Sequence, residues 1–215
     1  MSSPERDGRA GDPAVASDNV LAGDSFSSEA FAHRSFAGAD LSGREFTACE
    51  FEGCDFTGAD LERASFDDCS FSGCNFSNSR INNARFLAAG FTGCKLAGLN
   101  FYHLDQMALD FRLASCLLRD CNFGELKMKG MAFIDCEIDR CTFQDCYLRE
   151  ANFEGSSFRN TLFHKADLQA ASFRRARGYA IDPRTNNVRK AVFDLPEAVS
   201  FLGFFDIVLK NEVED

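Results

Sequence analysis

Cysteine is the residue type in this chain with the clearest capacity for chemistry, because ten cysteines occur among 215 residues. Thiolates bind metals, form disulfides or act as nucleophiles. A zinc site needs ligands that converge in a closed tetrahedral arrangement, and the repeated C-x4-C spacing is not a zinc-knuckle spacing. Dense disulfide scaffolds belong to short secreted chains, whereas this N-terminus lacks a continuous apolar signal segment. We therefore expect neither a metal site nor disulfides.

The remaining residue types give little support to catalysis. The histidines His33, His103 and His164 are scattered, with no nucleophile or carboxylate at a recognisable spacing, and no glycine-rich phosphate loop is present. We expect a protein that is not an enzyme and has no cofactor.

The net charge of −10 opposes direct nucleic-acid binding and suits a partner with a basic surface. No apolar run is long enough for a membrane span, so we expect a soluble cytoplasmic protein.

The sequence repeats every five residues, and this repeat determines the secondary structure that carries these side chains. Phe, Leu, Ile or Met occupies every fifth position from Phe26 to Phe101, and again from Leu118 to Phe173. We call this residue the centre of each unit and count Phe111, between the two runs, as a centre as well. An α-helix repeats every ~3.6 residues and a strand every 2, so neither element alone explains the pattern.

All ten cysteines lie two residues before a centre, where alanine is otherwise common. A cysteine at this position behaves as a small buried hydrophobe. The position two after the centre is rich in Gly, Asn and Asp, which tolerate turns. Each unit is thus expected to be a short extended piece followed by a corner, stacked into a solenoid. Cysteines on adjacent coils, such as Cys54 and Cys74, would have parallel side chains, which fits a disulfide poorly.

The units "AGADLSG", "TGADLER", "EANFEGS" and "KADLQAAS" resemble the A-[DN]-L-x-x motif of the pentapeptide-repeat family, over residues 24–177. The resemblance implies an all-β solenoid, a right-handed quadrilateral β-helix in which four units make one coil. At ~4.8 Å per coil, these residues would form about 7.7 coils and a rod of roughly 37 Å. Residues 1–23 are expected to be a disordered N-terminal arm.

The repeat is interrupted at about 102–117. Gln106 falls where a centre is due, and Phe111 and Leu118 are seven residues apart instead of five. Two extra residues must form a bulge or a small loop, which is either a tolerated irregularity or an exposed place for partner contacts. The candidate contacts are Tyr102, His103, Asp105, Gln106, Met107, Asp110 and Arg112.

Residues 178–215 leave the period of five. Asp194 and Glu197 form a capping-box pattern, with Pro196 in the first turn, and predict a helix from about 195 to 204. Residues 206–213 predict a short strand. The helix has more apolar residues than it needs to cap the last Phe column, which favours a symmetric homodimer through the C-terminus. The predicted interface residues are Leu195, Val199, Phe201, Leu202, Phe204, Phe205 and Ile207.

The segment "YAIDPRTNNVRKAVFDLPEAVSFLGFFDI" is similar to the ends of the pentapeptide-repeat proteins that protect DNA gyrase, the quinolone-resistance and albicidin-resistance types. That resemblance implies a dimeric rod that imitates duplex DNA, binds type II topoisomerase and relieves inhibition by an antibiotic or toxin. Resistance and self-immunity are both roles of this kind. The alternative is a generic rod-like interaction scaffold with a different partner.

The charge per unit length of the rod can be compared with that of DNA. Residues 24–70 hold 11 acidic and 3 basic residues, a net charge of −8, which is roughly −0.7 per Å of rod against about −0.6 per Å for B-DNA. Residues 71–177 hold 11 acidic and 14 basic residues, a net charge of +3. A DNA-like potential is therefore expected from the first coils, although their acidic residues do not share one side. The candidate topoisomerase contacts there are Glu45, Glu50, Glu52, Asp55, Asp60, Glu62, Asp67 and Asp68.

Overall fold

The computed structural model describes residue 21 and residues 23–207 as a β-solenoid of about eight turns. Short parallel strands stack on the sides of a four-sided rod, which confirms the predicted all-β solenoid. The predicted N-terminal arm, apart from residues 21 and 23, lies outside the described residues. Within the described part of the chain, no helix has the length and apolar character needed to cross a membrane.

We number the sides 1 to 4 in the order in which the chain visits them from Phe26. Side 1 begins with β1 (Ser25–Ser27), β3 (Glu45–Thr47) and β5 (Ser65–Asp67), and side 2 with β2 (Ala30–Ala32), β4 (Glu50–Glu52) and β6 (Ser70–Ser72). Two longer strands, β7 (Arg85–Thr92) and β9 (Leu109–Ala114), turn the corner from side 1 to side 2, where β11 (Ala132–Ile134), β16 (Ser172–Phe173) and β17 (Val192–Phe193) follow. Side 3 contains β8 (Lys95–Ala97), β10 (Leu117–Arg119), β12 (Glu137–Asp139) and β14 (Ser157–Arg159), and side 4 contains β13 (Thr142–Gln144) and β15 (Leu162–His164).

Aromatic columns form the core. Strands on successive coils pair in parallel, and Phe46 lies opposite Phe66, so that the centres of equivalent units stack directly. Phe56 is fully buried and stacks between Phe36 and Phe76, with ring centroids 4.9 and 4.6 Å apart. Rings on adjoining sides meet edge to face, as Phe51 and Phe56 do at 5.5 Å and 66°. Both geometries are favourable for aromatic pairs.

The position two before the centre is buried, as predicted, but its side chains do more than fill space. The Cys74 Sγ lies 3.4 Å from the carbonyl oxygen of Phe51, the centre of a unit in the previous coil. Ser79 donates from Oγ to the equivalent carbonyl of Phe56 at 2.7 Å. The ten cysteines are free and buried, and burial raises the pKa of Cys69 to about 12. The Cys69 thiol therefore stays protonated, and it lies 3.4 Å from the Phe46 carbonyl oxygen, as a weak hydrogen-bond donor between coils does.

The corners have the backbone that the turn residues predicted. Gly43 has φ 67° and Asn78 has φ 57°, both in the left-handed region. Ala48, with φ 53°, adopts the same conformation without the tolerance of glycine or asparagine. The stacking register therefore imposes this conformation even where the residue itself does not favour it.

Phe111 is not a centre, and that prediction was wrong. In the pairing of β9 with β7, Phe111 lies opposite Ala89 and Leu113 lies opposite Phe91. The two extra residues therefore come earlier, in the 3₁₀ turn at Gln106–Ala108, because Asp105 still donates to the Ala84 carbonyl at the separation of a regular coil. A first 3₁₀ turn, at Phe101–His103, precedes it and leaves that separation regular. Because side 1 has no aromatic centre in this coil, the Phe111 ring fills the interior 6.4 Å from Phe86.

Pairing across the interruption accommodates the insertion without disturbing the stack. Leu118 in β10 pairs with Leu96 in β8, two positions further back than the pairing of regular coils would give. In the coil that follows, Ile138 pairs with Leu118 at the ordinary separation. The interruption therefore lengthens a single coil and leaves the coils on both sides of it regular.

The solenoid continues past the predicted boundary at residue 177. Ile181 pairs with Phe163, and Phe193 stacks on Phe173 with ring centroids 5.0 Å apart. Phe193 thus belongs to the aromatic core, although the sequence between it and residue 177 does not show the period of five. The reason is that Ile181 and its partner Phe163 are two residues closer in sequence than the partners of a regular coil. The pairing of Asp167 with Asn187 then restores the regular separation.

The C-terminal helix is present as a 3₁₀ helix from Glu197 to Phe205, but the predicted capping box was wrong. Asp194 accepts a hydrogen bond from the Arg175 backbone N–H at 2.6 Å, and Glu197 accepts one from the Gly178 backbone N–H at 3.2 Å. In regular coils these N–H groups donate to backbone carbonyls of the next coil, as Gly155 does to Arg174. The two carboxylates therefore terminate the ladder. The predicted strand at 206–213 lies outside the described residues from 208 onward.

We expect Phe56→Ala to lower the free energy of unfolding by about 3–5 kcal/mol, because it leaves a cavity between two stacked rings. Urea denaturation followed by circular dichroism measures this. Ser72→Ala, at an exposed position of β6, is the matched control and should stay within about 0.5 kcal/mol of the parent. A loss below about 1 kcal/mol for Phe56→Ala would contradict close packing of the column.

Candidate partner-binding surface

The predicted acidic contacts of the first coils are distributed over all four sides. Glu45, Asp67 and Asp68 lie on side 1, and Glu50 and Glu52 lie on side 2. The bridges Asp55↔Asn75 and Asp60↔Arg80 place Asp55 on side 3 and Asp60, with Glu62 beyond it, on side 4. As expected, no single side collects all the acidic residues.

Three of these acidic residues are already bound by neighbouring side chains. Asp60 forms an ion pair with Arg80, and Glu62 lies 3.3 Å from Arg63. Asp55 accepts hydrogen bonds from both the backbone N–H and the hydroxyl of Thr57. On sides 3 and 4 the acidic charge is therefore partly neutralised or held within the rod's own surface.

Sides 1 and 2 keep their charge. The segments 45–53 and 65–73 contain no Lys or Arg, and among the described residues Glu45, Glu50, Glu52, Asp67 and Asp68 have no basic partner within ion-pair distance. Both segments run from side 1 round the corner to side 2. These five residues form what we call the acidic corner, a surface of two adjoining sides. Assigning each unit to a side, at four units per coil, could have revealed it from the sequence.

Asp40 extends the acidic surface onto side 4, and sequence analysis did not select it. Its carboxylate accepts a hydrogen bond from the Ser42 hydroxyl at 2.6 Å and another from the Ser42 backbone N–H at 3.0 Å. These bonds hold the pKa of Asp40 below its ordinary value. The residue therefore keeps its negative charge into mildly acidic conditions.

The interruption is a firmly attached protrusion. Leu104 and Ala108 are buried and anchor it, while the Asp105 carboxylate accepts from the Met107 backbone N–H at 2.9 Å and lies 3.7 Å from Arg85. Met107 is 94% exposed. Exposure of this kind for an unbranched apolar side chain on a rigid turn is typical of a contact residue.

The other predicted contacts of the interruption are also at the surface. Tyr102 is 38% exposed, and its ring meets that of His103 edge to face, 4.9 Å away. Gln106, Asp110 and Arg112 are exposed as well. The structure thus brings Gln106 and Met107 to side 1, between Asp105 and Leu109, whereas Arg112 belongs to side 2 in β9.

The apolar C-terminal residues divide into two groups. Phe201 packs edge to face on Phe193, with ring centroids 4.7 Å apart, and so covers the end of the rod. Leu202 and Phe204 are half-buried. The exposed group consists of Leu195 at 79%, Val199 at 37%, Phe205 at 51% and Ile207 at 48%. This second group forms an apolar end surface beyond what capping requires.

These surfaces offer charge and apolar area to a partner. In the part of the chain that the structure describes, no three His, Cys, Asp or Glu side chains are grouped as metal ligands would be. The arrangement can bind by electrostatic complementarity and by burial of Met107 and the end surface. Binding of this kind depends on salt where the acidic corner contributes, since exposed charges are screened.

Comparison with known proteins agrees with the solenoid. A family model described as a pentapeptide repeat region matches residues 44–117 and 110–177. A structure of QnrB1, a plasmid-mediated fluoroquinolone resistance protein in trypsin-treated form, covers 87% of this chain and 99% of its own at 18% identity, with a TM-score of 0.57. A second trypsin-treated QnrB1 structure has a TM-score of 0.54, at 18% identity over 87% of this chain and 97% of its own. The sequence gives no match among curated proteins. At these identities the structural likeness shows the fold.

Asp194→Ala should loosen the end of the ladder, because it removes the acceptor of the Arg175 backbone N–H. A net loss of about 1 kcal/mol corresponds to about fivefold faster amide hydrogen exchange at Arg175. Glu137→Ala, on the outer surface of β12, is the control and should leave that amide unchanged. Unaltered exchange in Asp194→Ala would show that the carboxylate does not hold the last coil.

Proposed function

Because the chain belongs to the pentapeptide-repeat family, we propose that it binds a type II topoisomerase, DNA gyrase, in place of duplex DNA and protects the enzyme from an antibiotic or toxin. The observation that carries this proposal is the acidic corner, which lies on coils whose charge per unit length is close to that of B-DNA. The fold supports it as well, since nearly the whole length of a fluoroquinolone resistance protein superposes on this chain.

The acidic corner supplies the electrostatic part of recognition. A topoisomerase must bind DNA with a basic surface, and five carboxylates on two adjoining sides present a negative potential to such a surface. Attraction of this kind accelerates encounter and weakens as salt increases. The net +3 of residues 71–177 limits the imitation to the N-terminal coils, so the proposed contact is with one end of the rod rather than its full length.

The interruption supplies the second part. Met107 is held at the tip of a turn by buried Leu104 and Ala108 and is 94% exposed. An apolar side chain on a firmly anchored turn can fill a pocket on the partner without the cost of ordering a loop. We propose Tyr102, Gln106 and Met107 as contacts that add affinity to the charge of the corner.

The apolar end surface serves dimerisation in this proposal. Leu195, Val199, Phe205 and Ile207 are exposed on the last turn of the rod, and burying them against the same surface of a second copy gives an isologous contact. Two rods joined end to end would place one acidic corner at each far end. The dimer therefore presents two such acidic ends to its partner.

We expect the protein to restore DNA supercoiling by gyrase in the presence of a fluoroquinolone, and Glu50→Lys combined with Glu52→Lys to raise the concentration needed at least tenfold. The exposed residues Glu125 and Glu137, both changed to Lys, provide a control with the same charge change outside the corner, and this control should protect as the parent does. Absence of rescue together with absence of gyrase binding would leave the scaffold with another partner as the function.

We expect Leu195→Asp to convert the dimer into a monomer of 23.8 kDa, because it places a charge at the centre of the apolar end surface. Sedimentation velocity measures the mass. Leu162→Asp, on the exposed face of β15 and 50% exposed, is the control and should remain dimeric. A parent protein that is monomeric, or a dimer unaffected by Leu195→Asp, would refute the end-to-end contact.

A further inference from the structure

The charged residues on side 1 of the rod change from acidic to mainly basic along its length. Its first coils carry Glu45, Asp67 and Asp68. Its later coils carry basic residues at equivalent positions, since the bridge from Lys127 to Tyr147 places their units on the same side. The basic residues of these later coils are Lys127, Lys129 and Arg149, and the same side also carries Glu150 and Asp167.

Apolar residues separate the two charged regions. Leu87, in the coil after Asp67, is 42% exposed, and Met107, in the next coil, is 94% exposed. The charged side chains on either side of them reach the surface too, because Asp68, Lys127 and Lys129 are all exposed. Side 1 therefore presents an acidic part, a middle with Leu87, Met107 and the ion pair of Arg85 with Asp105, and a part rich in basic residues, in that order from the N-terminus.

Part of this charge is neutralised within the rod, since two of the three basic residues are paired with carboxylates. Asp67 accepts only from the Ser65 hydroxyl at 3.1 Å, a neutral donor. Among the described residues Lys127 has no acidic partner, and Lys129 lies 3.4 Å from Glu150 in a solvent-exposed pair, which is worth little. Arg149 binds Asp167 at 2.6 Å and is not available to a second surface. The charges that an external surface can reach are therefore those of Asp67, Asp68, Lys127 and, in exchange for its exposed pair, Lys129.

We propose that side 1 is a self-complementary surface on which a second copy of this chain binds antiparallel. A two-fold axis between the coil of Leu87 and the coil of Met107 reverses the rod and turns its side 1 to face the first. Met107 of each copy then meets Leu87 of the other. Counting one coil outward from this pair brings Lys129 opposite Asp67, and the same contact occurs twice by symmetry.

The size of the surface makes this a weak association. About eight coils at ~4.8 Å give roughly 38 Å of length, and a side is roughly 12 Å wide, so about 450 Å² of each copy is covered. A total of about 900 Å² lies in the range of weak and transient associations. The pairing is therefore expected at high protein concentration and low salt, and it differs from the apolar end surface, which salt does not weaken.

This association uses part of the surface assigned to the topoisomerase, so a paired rod would be a resting form that the partner must displace. The inference does not depend on the proposed function, because it concerns only contacts between copies of the chain. Its experiment needs no topoisomerase, so its failure is separate from failure of gyrase protection.

The test is a charge exchange measured by sedimentation velocity of the full chain. Lys129→Glu alone and Asp67→Lys alone should each weaken the low-salt association at least tenfold, while the double variant D67K/K129E should return to within about threefold of the parent. For the parent, the association should disappear near 1 M salt, where the Debye length is ~3 Å. Glu137→Lys with Lys165→Glu, exchanged on sides 3 and 4, is the control and should associate as the parent does.

Cross-linking tests the antiparallel arrangement of the two copies. Because the ten native cysteines are buried, Leu87→Cys and Met107→Cys proteins, mixed together, should cross-link to each other with a short bifunctional maleimide, whereas Leu162→Cys on side 4 should not. Folding of each variant is checked by its circular dichroism. Either of two results overturns the proposal: no salt-sensitive association of the parent, or a double variant as weak as the singles with no cross-link between Leu87→Cys and Met107→Cys.

Discussion

The rest of the structure depends on the parallel pairing of each coil with the next in a constant register of four units. This pairing satisfies the backbone hydrogen bonds between coils and superposes equivalent positions, so that each aromatic centre stacks on the centre of the next coil, as Phe46 does on Phe66. Because the backbone of every unit is fixed by the coil before and after it, stability is shared along the rod. Corners such as Ala48 adopt a left-handed backbone for the same reason.

The interior imposes a second requirement, at the position two before each centre. In most units the side chain there is small, and the carbonyl of a neighbouring centre lies within reach of a donor. Cys74, Ser79 and Asn186 all donate to such a carbonyl. Cysteine is therefore frequent because it combines small volume, apolar character and a weak donor. The thiols are shielded from solvent, and burial also raises the pKa of Cys146 to about 12.

An outer surface free of these requirements can vary, and here it varies along the rod. The first coils are acidic, the middle has the protruding Met107, and the later coils of side 1 are basic. A uniform imitation of DNA would need a uniform charge, so the proposed contacts are assigned to particular places on the scaffold. Interruption of the repeat is tolerated because the Phe111 ring occupies interior space and regular pairing resumes within β9.

From the sequence alone, the strict period of five with its aromatic centres and turn residues predicted a solenoid with inward columns and corners, and the number of four units per coil came from the resemblance to the pentapeptide-repeat family. The sequence also located the interruption, the acidic coils and the apolar C-terminus. Only the tertiary structure decided where the two extra residues lie. Phe111 is of a type that fits either a centre or the position two before a centre, and the pairing of β9 with β7 selects the second. The role of Asp194 and Glu197 was likewise decided by the N–H groups left open on the last coil, which belong to residues distant in sequence. For the acidic corner, the structure added which of the described carboxylates on adjoining sides lack a basic partner, because ion pairs such as that of Asp60 with Arg80 join residues of successive coils.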